Sequence, residues 1–442
     1  MGALVRLQPM EWLEGLRGVL GLAVLLAVAW ALSRSRRSVA WRTVGVALAL
    51  QVGFALLVLR WGPGEDALGW VSDRVESLIG YAGEGTAFVF GPLLEVGGEN
   101  QTIFALQVLP VIVFLGALVG LLYYLRVIQW ATFIVGGALS KLLGVGKVES
   151  LYASTVIFLG QSEAPLMVQG YLHRLRQGQL FTIMSAGFAA AAGSTLVGYS
   201  LLGAPLEYLL AATVMNAPAS LLIAKLMWPD DAPELPLDRR PDDAPPADRA
   251  AQPEDEPEEE PDVRDVRDEE SANLIDALGR GAMAGGRIAV TVLALLIAFV
   301  AVVALANGIL GAVGGWFGVD DLTFERILGW AVSPLAWLLG VPWSEASQAG
   351  SWIGQKTVLN EFVAYADFGP SVGDLSPVTV AVVTFALAGF ANFSSIAIQI
   401  GTIGSLAPDR RAEVARLGLR ALLAGSLANL ANAAIAGVVI SL

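Results

Sequence analysis

Long apolar runs recur along the whole chain and restrict its fold more than any other feature. They lie near residues 17–32, 41–60, 103–125, 180–202, 206–228, 286–306, 376–403 and 413–441. A helix of about 20 apolar residues crosses the hydrocarbon core of a bilayer, which is about 30 Å thick. Charged residues make up only 15% of the chain, whereas soluble domains average about 25%. The pattern predicts an all-α polytopic membrane protein with eight transmembrane helices.

Two further apolar stretches, residues 148–170 and 342–365, contain polar and charged residues in mid-run. Non-helical backbone at membrane depth is tolerated only where protein or a water-filled cavity shields it. We therefore expect each of these stretches to form a re-entrant hairpin rather than a simple span.

The acidic residues are concentrated in one Pro-rich segment. Residues 230–270 contain eighteen Asp or Glu and five Arg, a difference that equals the net charge of −13 of the whole chain. A segment of this composition cannot bury enough apolar surface to fold. We expect residues 230–272 to form a disordered acidic linker in the cytoplasm, with a regulatory docking tail as the alternative.

The distribution of charge predicts the orientation of the chain. Basic residues cluster after the first and third runs, after the first hairpin and between the last two runs: Arg34, Arg36, Arg37, Arg42, Arg126, Lys141, Lys147, Arg174, Arg176, Arg410, Arg411, Arg416 and Arg420. Acidic residues surround the second hairpin: Asp320, Asp321, Glu325, Asp367 and Asp374. The positive-inside rule then places both termini outside and the two hairpins on opposite faces of the membrane.

Short motifs around the two hairpins repeat in the same order. LLGVGKVES precedes the first hairpin and LLGVPWSEA the second, which aligns Glu149 with Glu345. AGFAAAAGS follows the first hairpin and AGFANFSSI the second. With the hairpins on opposite faces, the copies form an inverted repeat, which is typical of secondary transporters with a substrate site near the midplane. We expect Glu149 and Glu345 to cap hairpin helices.

Four polar clusters at membrane depth are candidates: Gln161, Ser162 and Glu163; Asn360 and Glu361; Asn392, Ser394 and Ser395; and Ser185 with Ser194, for which a structural role is favoured. Intramembrane carboxylates are costly and usually functional, so Glu163 and Glu361 are the strongest candidates. Ser394 fits a structural hydrogen bond better, and Asn392 fits helix contacts equally well. Amide, hydroxyl and carboxylate groups together suit a small hydroxyl-rich ligand, such as a sugar-bearing molecule. No buried Arg or Lys is expected nearby, which argues against a phosphate-bearing ligand.

Residue content excludes disulfides, thiolate metal sites and metal sites built from several histidines. The chain has no cysteine and a single histidine, His173, so neither a disulfide framework nor a multi-histidine metal cluster can form. His173 is expected to be an ordinary loop residue, with a proton relay as the alternative. We expect no cofactor.

The motifs GQSEAPL, NEFVAY and GFANFSSIAIQIG, supported by FVFGPL and VMNAPASLLIAKLMWP, resemble the concentrative nucleoside transporter family from about residue 85 onward. The resemblance implies a homotrimer in the bacterial inner membrane that binds nucleosides and no nucleic acid. It also implies a division into scaffold residues 1–126 and 273–340 and two transport repeats, residues 127–229 and 341–442, which move like an elevator.

The resemblance also assigns the site residues. The nucleobase contacts would come from Gln161 and Glu163, with Ser162 beside them. The ribose contacts would come from residues of the second repeat: Glu361, Asn392 and Ser395, with Phe390 packing nearby.

Two departures from the family pattern bear on the coupling ion. Sodium-coupled members carry Asn and Ser or Thr side-chain ligands where this chain has Val156 and Ala190. Sodium needs oxygen ligands, and only the backbone carbonyls of Leu159 and Ala191 would remain. We therefore expect proton coupling through Glu163 or Glu361, with Glu163 favoured, because burial disfavours the charged form of a carboxylate.

Three alternatives are kept beside the proton-driven symporter. The first is the same transporter driven by sodium. The second is a membrane-embedded hydrolase that uses Glu163 and Glu361 as acid and base, although the motifs of such enzymes are missing. The third is a ligand-sensing receptor, which an inverted repeat does not favour.

Overall fold

The computed structural model describes residues 9–95, 103–233, 264, 266–268, 270–319 and 322–442. All regular elements in these ranges are helical, as predicted. Numbered in chain order, the α-helices are α1 Pro9–Ala31, α2 Trp41–Leu59, α3 Gly62–Phe90, α4 Phe104–Gln107, α5 Leu109–Tyr124, α6 Val127–Leu143, α7 Lys147–Thr155, α8 Ala164–Met167, α9 Gln169–Leu172, α10 Gln177–Ala189, α11 Gly193–Leu201, α12 Leu206–Met227, α13 Leu274–Trp316, α14 Phe324–Leu338, α15 Trp343–Val358, α16 Glu361–Phe368, α17 Pro377–Leu387, α18 Phe393–Leu406 and α19 Arg411–Ser441.

Within the described ranges, six stretches of helix are long and apolar enough to cross a membrane: Trp41–Leu59, Phe104–Tyr124, Gln177–Leu201, Leu206–Met227, Leu274–Trp316 and Pro408–Ser441. A seventh span results if α14 and α15, which meet at a bend of 116°, are taken as one. The protein is therefore a polytopic helical membrane protein in its described part, while eight spans and two re-entrant hairpins stay a prediction. Most of the predicted acidic linker, residues 230–272, lies outside the described residues.

Two of the predicted helices are interrupted. The helix expected at 180–202 breaks at residues 190–192, between α10 and α11, and the one expected at 376–403 breaks at residues 388–392, between α17 and α18. The second break is stabilised by Asn392, whose side-chain oxygen accepts the Ser395 N–H at 2.9 Å and caps α18. Each of the two predicted helices therefore consists of two shorter helices.

The two breaks cross in direct backbone contact. The Phe390 N–H of the second break donates to the Ala190 carbonyl of the first break at 3.0 Å. A Cβ atom at Gly389 would collide with the Ala189 carbonyl oxygen and with the Asn429 amide. Only glycine therefore permits this approach of the two breaks.

Two buried asparagines satisfy backbone carbonyls that the breaks leave without helical partners. Asn216, on α12, donates to Ala388 O of the second break at 2.7 Å. Asn429, on α19, donates to Ala189 O of the first break at 2.7 Å. The asparagines also bond to each other, at 3.1 Å. Each half of the chain therefore completes the backbone hydrogen bonding of the other.

The long helix α13 packs against α5 through glycines on both helices. It runs over 43 residues, from Leu274 to Trp316, well beyond the apolar run at 286–306. A Cβ at Gly116 would lie 2.7 Å from Gly281 O, and one at Gly120 would lie 2.8 Å from Ala277 O. The helix backbones are therefore close enough to exclude larger side chains, as in small-xxx-small membrane contacts.

Glu149 and Glu345, which were expected to cap helices, also bind side chains in other parts of the chain. Glu149 lies in the first turn of α7, as expected for a cap, but it is 1% exposed and its carboxylate pairs with Lys225 on α12 at 2.7 Å. Glu345 lies in the first turn of α15 and accepts the Ser376 hydroxyl at 2.8 Å. In both halves of the chain, the glutamate fixes the start of a helix to a later helix.

We predict that Asn429→Leu destabilises the protein more than Asn432→Leu does. The Asn429 side chain bonds to Ala189 O, Asn216 and Lys356, whereas Asn432 makes one bond, to Asn216. Unpaired buried polar groups cost about 1–3 kcal/mol each, so the loss at Asn429 should be the larger. Thermal unfolding in detergent measures both variants, and equal losses would contradict the role given to Asn429.

Candidate functional site

The tip of the first predicted hairpin lies on the crossing of the two breaks. Gly160 has φ of +72°, and a Cβ there would lie 2.7 Å from the Ala192 side chain and 3.4 Å from the Phe390 ring. The left-handed backbone at Gly160 therefore turns the chain so that Gln161 follows directly at the crossing.

The Gln161 side chain is held by two neighbours on α18. Its amide nitrogen donates to the Ser395 hydroxyl at 2.8 Å, and its amide oxygen accepts from Gln399 at 3.1 Å. Gln399 is itself fixed by a second bond, to Met184 O at 3.0 Å. Because a primary amide has two donors and two acceptor lone pairs, Gln161 keeps one donor and one acceptor for a ligand.

The Glu361 carboxylate begins α16 and faces the second break. One of its oxygens accepts from the Asn392 amide at 2.8 Å, and the other accepts from the Tyr199 hydroxyl at 3.1 Å. Asn360 caps α16 by accepting the Val363 N–H at 3.0 Å. Helix starts favour negative charge, so the position suits a carboxylate.

A continuous chain of hydrogen bonds links the predicted residues of both hairpins. It runs from Gln161 to Ser395, from the Ser395 N–H to Asn392, and from Asn392 to Glu361. Phe390 is half-buried beside the tip of the first hairpin. Five of the seven predicted residues therefore lie in one place.

Ser162 and Glu163 are placed differently. Ser162 is exposed and Glu163 is half-buried, just before α8. Within the described residues, no hydrogen bond or ion pair reaches the Glu163 carboxylate. The two residues border the site through their place in the chain rather than through side-chain contacts.

The two residues that stand at the expected sodium-ligand positions are buried. Val156 is 1% exposed and Ala190 is 2% exposed, and neither side chain has an oxygen. No group of three or more His, Asp or Glu residues that suits a metal ion occurs in the described part of the chain.

Two site residues escaped the sequence analysis, and one expectation was wrong. Gln399 lies one turn after Ser395, on the same face of α18, which was the available signal. Lys356 is a buried lysine only five residues before Glu361, and its ammonium donates to Ala386 O at 3.0 Å and to the Asn429 side chain at 2.9 Å. The expectation that no buried basic residue lies near the clusters was therefore incorrect.

Comparison with known proteins identifies what this architecture is similar to. Three family models match nearly the whole chain: "Na+ dependent nucleoside transporter N-terminus" over residues 20–93, "Nucleoside recognition" over 105–206, and "Na+ dependent nucleoside transporter C-terminus" over 208–437. The uncharacterized transporter YutK of Bacillus subtilis is 50% identical over 96% of this chain and 99% of its own length. The nucleoside permease NupC of Helicobacter pylori is 40% identical over 97% of this chain and 99% of its own length.

Solved structures agree with the sequence matches. CNTnw in an inward-facing substrate-bound state is 45% identical with a TM-score of 0.85, and the match covers 96% of this chain and 97% of that one. A variant of CNTnw in an outward-facing state has a TM-score of 0.86 at 44% identity, with the same coverage. The families and the permeases are transporters, not enzymes, which excludes the hydrolase alternative. The chain belongs to the concentrative nucleoside transporter family.

Proposed function

We propose that this protein imports nucleosides across the bacterial cytoplasmic membrane as a proton-driven symporter. The observation that carries this proposal is the hydrogen-bonded chain from Gln161 to Glu361 at the crossing of the two helix breaks. This chain of hydrogen bonds places the Gln161 amide and the Glu361 carboxylate on either side of the contact between the repeats. Each of these groups can form further hydrogen bonds. Such a contact between broken helices is where secondary transporters bind their substrates.

The substrate would be read by two groups of side chains. Gln161 offers one donor and one acceptor to the edge of a nucleobase, with Ser162 and Glu163 bordering it. Each oxygen of Glu361 accepts one protein donor, so lone pairs remain for ribose hydroxyls. The remaining contacts would come from Asn392 and Ser395, with Phe390 packing against the ligand.

Proton coupling would depend on Glu163. Its carboxylate is half-buried and has no partner among the described residues, whereas Glu361 is held by Tyr199 and Asn392. A carboxylate without a fixed donor can take up and release a proton with the least rearrangement of its surroundings. Glu361 is the second candidate.

Sodium coupling is the alternative. The matching family is described as Na+ dependent, and the backbone carbonyls of Leu159 and Ala191 are oxygen atoms that a sodium ion can use. Against it, the buried side chains of Val156 and Ala190 supply no oxygen.

The motion would be of the elevator type, with residues 127–229 and 341–442 moving as transport repeats against residues 1–126 and 273–340. The crossing of the breaks joins the two repeats into one body, which supports this division. We propose eight spans, two opposed re-entrant hairpins in an inverted repeat, external termini and a homotrimer. Only 11% of the apolar stretch of α13 is buried, so most of this stretch is exposed and can contact lipid or neighbouring copies.

The coupling ion is tested by uridine uptake into proteoliposomes with proton and sodium gradients imposed separately. We expect the wild type to accumulate uridine with the proton gradient alone. Glu163→Gln should lose this accumulation, because a glutamine cannot carry the proton, while counterflow of labelled uridine should remain. Glu76→Gln, at an exposed carboxylate on α3, is the matched control.

Uptake that follows sodium and ignores the proton gradient would contradict proton coupling and favour the sodium alternative. Uridine binding without counterflow would favour the receptor alternative.

Orientation is tested by labelling single cysteines in intact cells, since the natural chain has none. We expect Leu442→Cys, at the exposed C-terminus, to react with a membrane-impermeant maleimide. Arg37→Cys, in the predicted cytoplasmic loop after α1, should react only after permeabilisation. Reversed labelling would show that the termini lie in the cytoplasm.

Gln399 is predicted to position Gln161 for the nucleobase. Gln399→Leu frees the amide oxygen of Gln161, and losing one such hydrogen bond corresponds to a rise in KM of about 3- to 10-fold. Uptake kinetics measure the change, with Gln348→Leu, an exposed glutamine on α15, as the control. An unchanged KM would remove Gln399 from the site.

A further inference from the structure

Gln399 joins the candidate site to the backbone of α10. Its amide nitrogen donates to Met184 O at 3.0 Å and to the Gln161 side-chain oxygen at 3.1 Å, so both of its N–H groups are used. The Gln399 side chain is fully buried, and a Cβ atom at Gly187 would lie 2.7 Å from its amide nitrogen. The glycine at this place in α10 therefore leaves the room that Gln399 needs to reach the carbonyl.

The Met184 carbonyl determines which way the Gln399 amide points. A backbone carbonyl can only accept a hydrogen bond, so Gln399 must turn its NH2 group, and not its oxygen, toward α10. The Gln399 oxygen is buried without a hydrogen-bond partner among the described residues, so no competing bond favours the reverse orientation. The direction of this amide is thus set by the main chain in the first half of the protein.

The direction of the Gln399 amide is passed on to Gln161. Because Gln399 offers only donors here, Gln161 must turn its oxygen toward them and its nitrogen toward the Ser395 hydroxyl, to which it donates at 2.8 Å. A hydroxyl can donate or accept, so Ser395 would bind either end of the Gln161 amide and does not select between them. Gln399 is therefore the residue that distinguishes the two orientations of Gln161.

We propose that Gln399 fixes the order of donor and acceptor that Gln161 presents to the nucleobase, and thereby determines which nucleobases the site prefers. This inference rests on the proposed function, because it names the origin of specificity at the same site. Gln399 is a positioning residue and acts through Gln161, whose amide keeps one donor and one acceptor after its bonds to Gln399 and Ser395.

Nucleobases differ in the order of these groups along one edge. Uracil presents an N–H group beside a carbonyl, whereas cytosine presents a ring-nitrogen acceptor beside an amino group. A site built to hydrogen-bond one arrangement rejects the other, because the mismatch leaves buried polar groups unpaired. An amide that cannot turn over therefore favours one order of donor and acceptor, and an amide that can turn over adapts to both.

A purely structural role for Gln399 makes a different prediction. If Gln399 only held α18 against α10, its replacement would lower the stability of the protein and the affinity for every nucleoside in the same proportion. Specificity is a difference between two binding free energies. The ratio of uridine affinity to cytidine affinity is therefore the quantity that separates the two roles.

The test measures uridine and cytidine binding to the purified full-length protein and to two variants. Gln399→Met removes the hydrogen bonds, so Gln161 can turn over. Gln399→Glu reverses the direction, because the oxygen that replaces the nitrogen carries at most one proton, which Met184 O accepts, and this oxygen then accepts from the Gln161 NH2 group. We expect Gln399→Glu to shift the affinity ratio about 10-fold from the wild-type value, as when one hydrogen bond is exchanged for an unpaired buried group. The Gln399→Met ratio should lie between the other two.

Two further variants are the controls. Ser395→Ala removes the bond at the other end of the Gln161 amide but not the group that sets its direction, so both affinities should fall while their ratio keeps the wild-type value. Gln348→Glu, at an exposed glutamine on α15, should change neither. Thermal unfolding is measured for every variant. If Gln399→Glu does not fold, the ratio must still change in Gln399→Met and stay constant in Ser395→Ala.

The outcomes separate this inference from the proposed function. A uridine-to-cytidine ratio that is the same in the wild type and in the folded Gln399 variants would overturn the role of Gln399 and leave nucleoside transport untouched. A wild type that binds neither nucleoside would overturn the proposed function, and this inference with it.

Discussion

The contact between the two helix breaks is the interaction on which the rest of the structure depends. A broken helix in a membrane exposes carbonyl and N–H groups that lipid cannot satisfy. Here the Phe390 N–H binds Ala190 O, Asn216 donates to the second break, and Asn429 donates to the first break. Because each break receives hydrogen bonds from the other half of the chain, neither break is stable without the other.

The same contact creates the site. Ending α17 at Leu387 and starting α18 at Phe393 frees Asn392 to cap one helix and to bind Glu361 with the other end of its amide. It also points Ser395 and Gln399 at Gln161. The polar groups of the candidate site and those that hold the backbone of the breaks therefore belong to one network.

The sequence predicted the helical class, and it singled out most of the residues that the structure brings together in the candidate site, because Gln161 and Glu361 interrupt apolar runs and the surrounding motifs repeat. It did not predict the breaks, since AAAAG at residues 189–193 consists mostly of strong helix formers. The helix is interrupted there only because the other half of the chain supplies hydrogen-bond partners for the backbone. Lys356 was missed for a related reason: its acceptors include Asn429, 73 residues away, and no local pattern signals such a contact.

The reciprocal bonds also constrain how the protein is made. Ala189 receives its hydrogen bond from Asn429, which follows 240 residues later in the chain. A ribosome adding about 5–20 residues per second therefore delivers the first half to the membrane well before its partner exists. Until α19 is inserted, the Ala189 carbonyl must accept its hydrogen bond from water or from the insertion machinery. The nascent protein therefore lacks this hydrogen bond from the synthesis of α10 until the synthesis of α19.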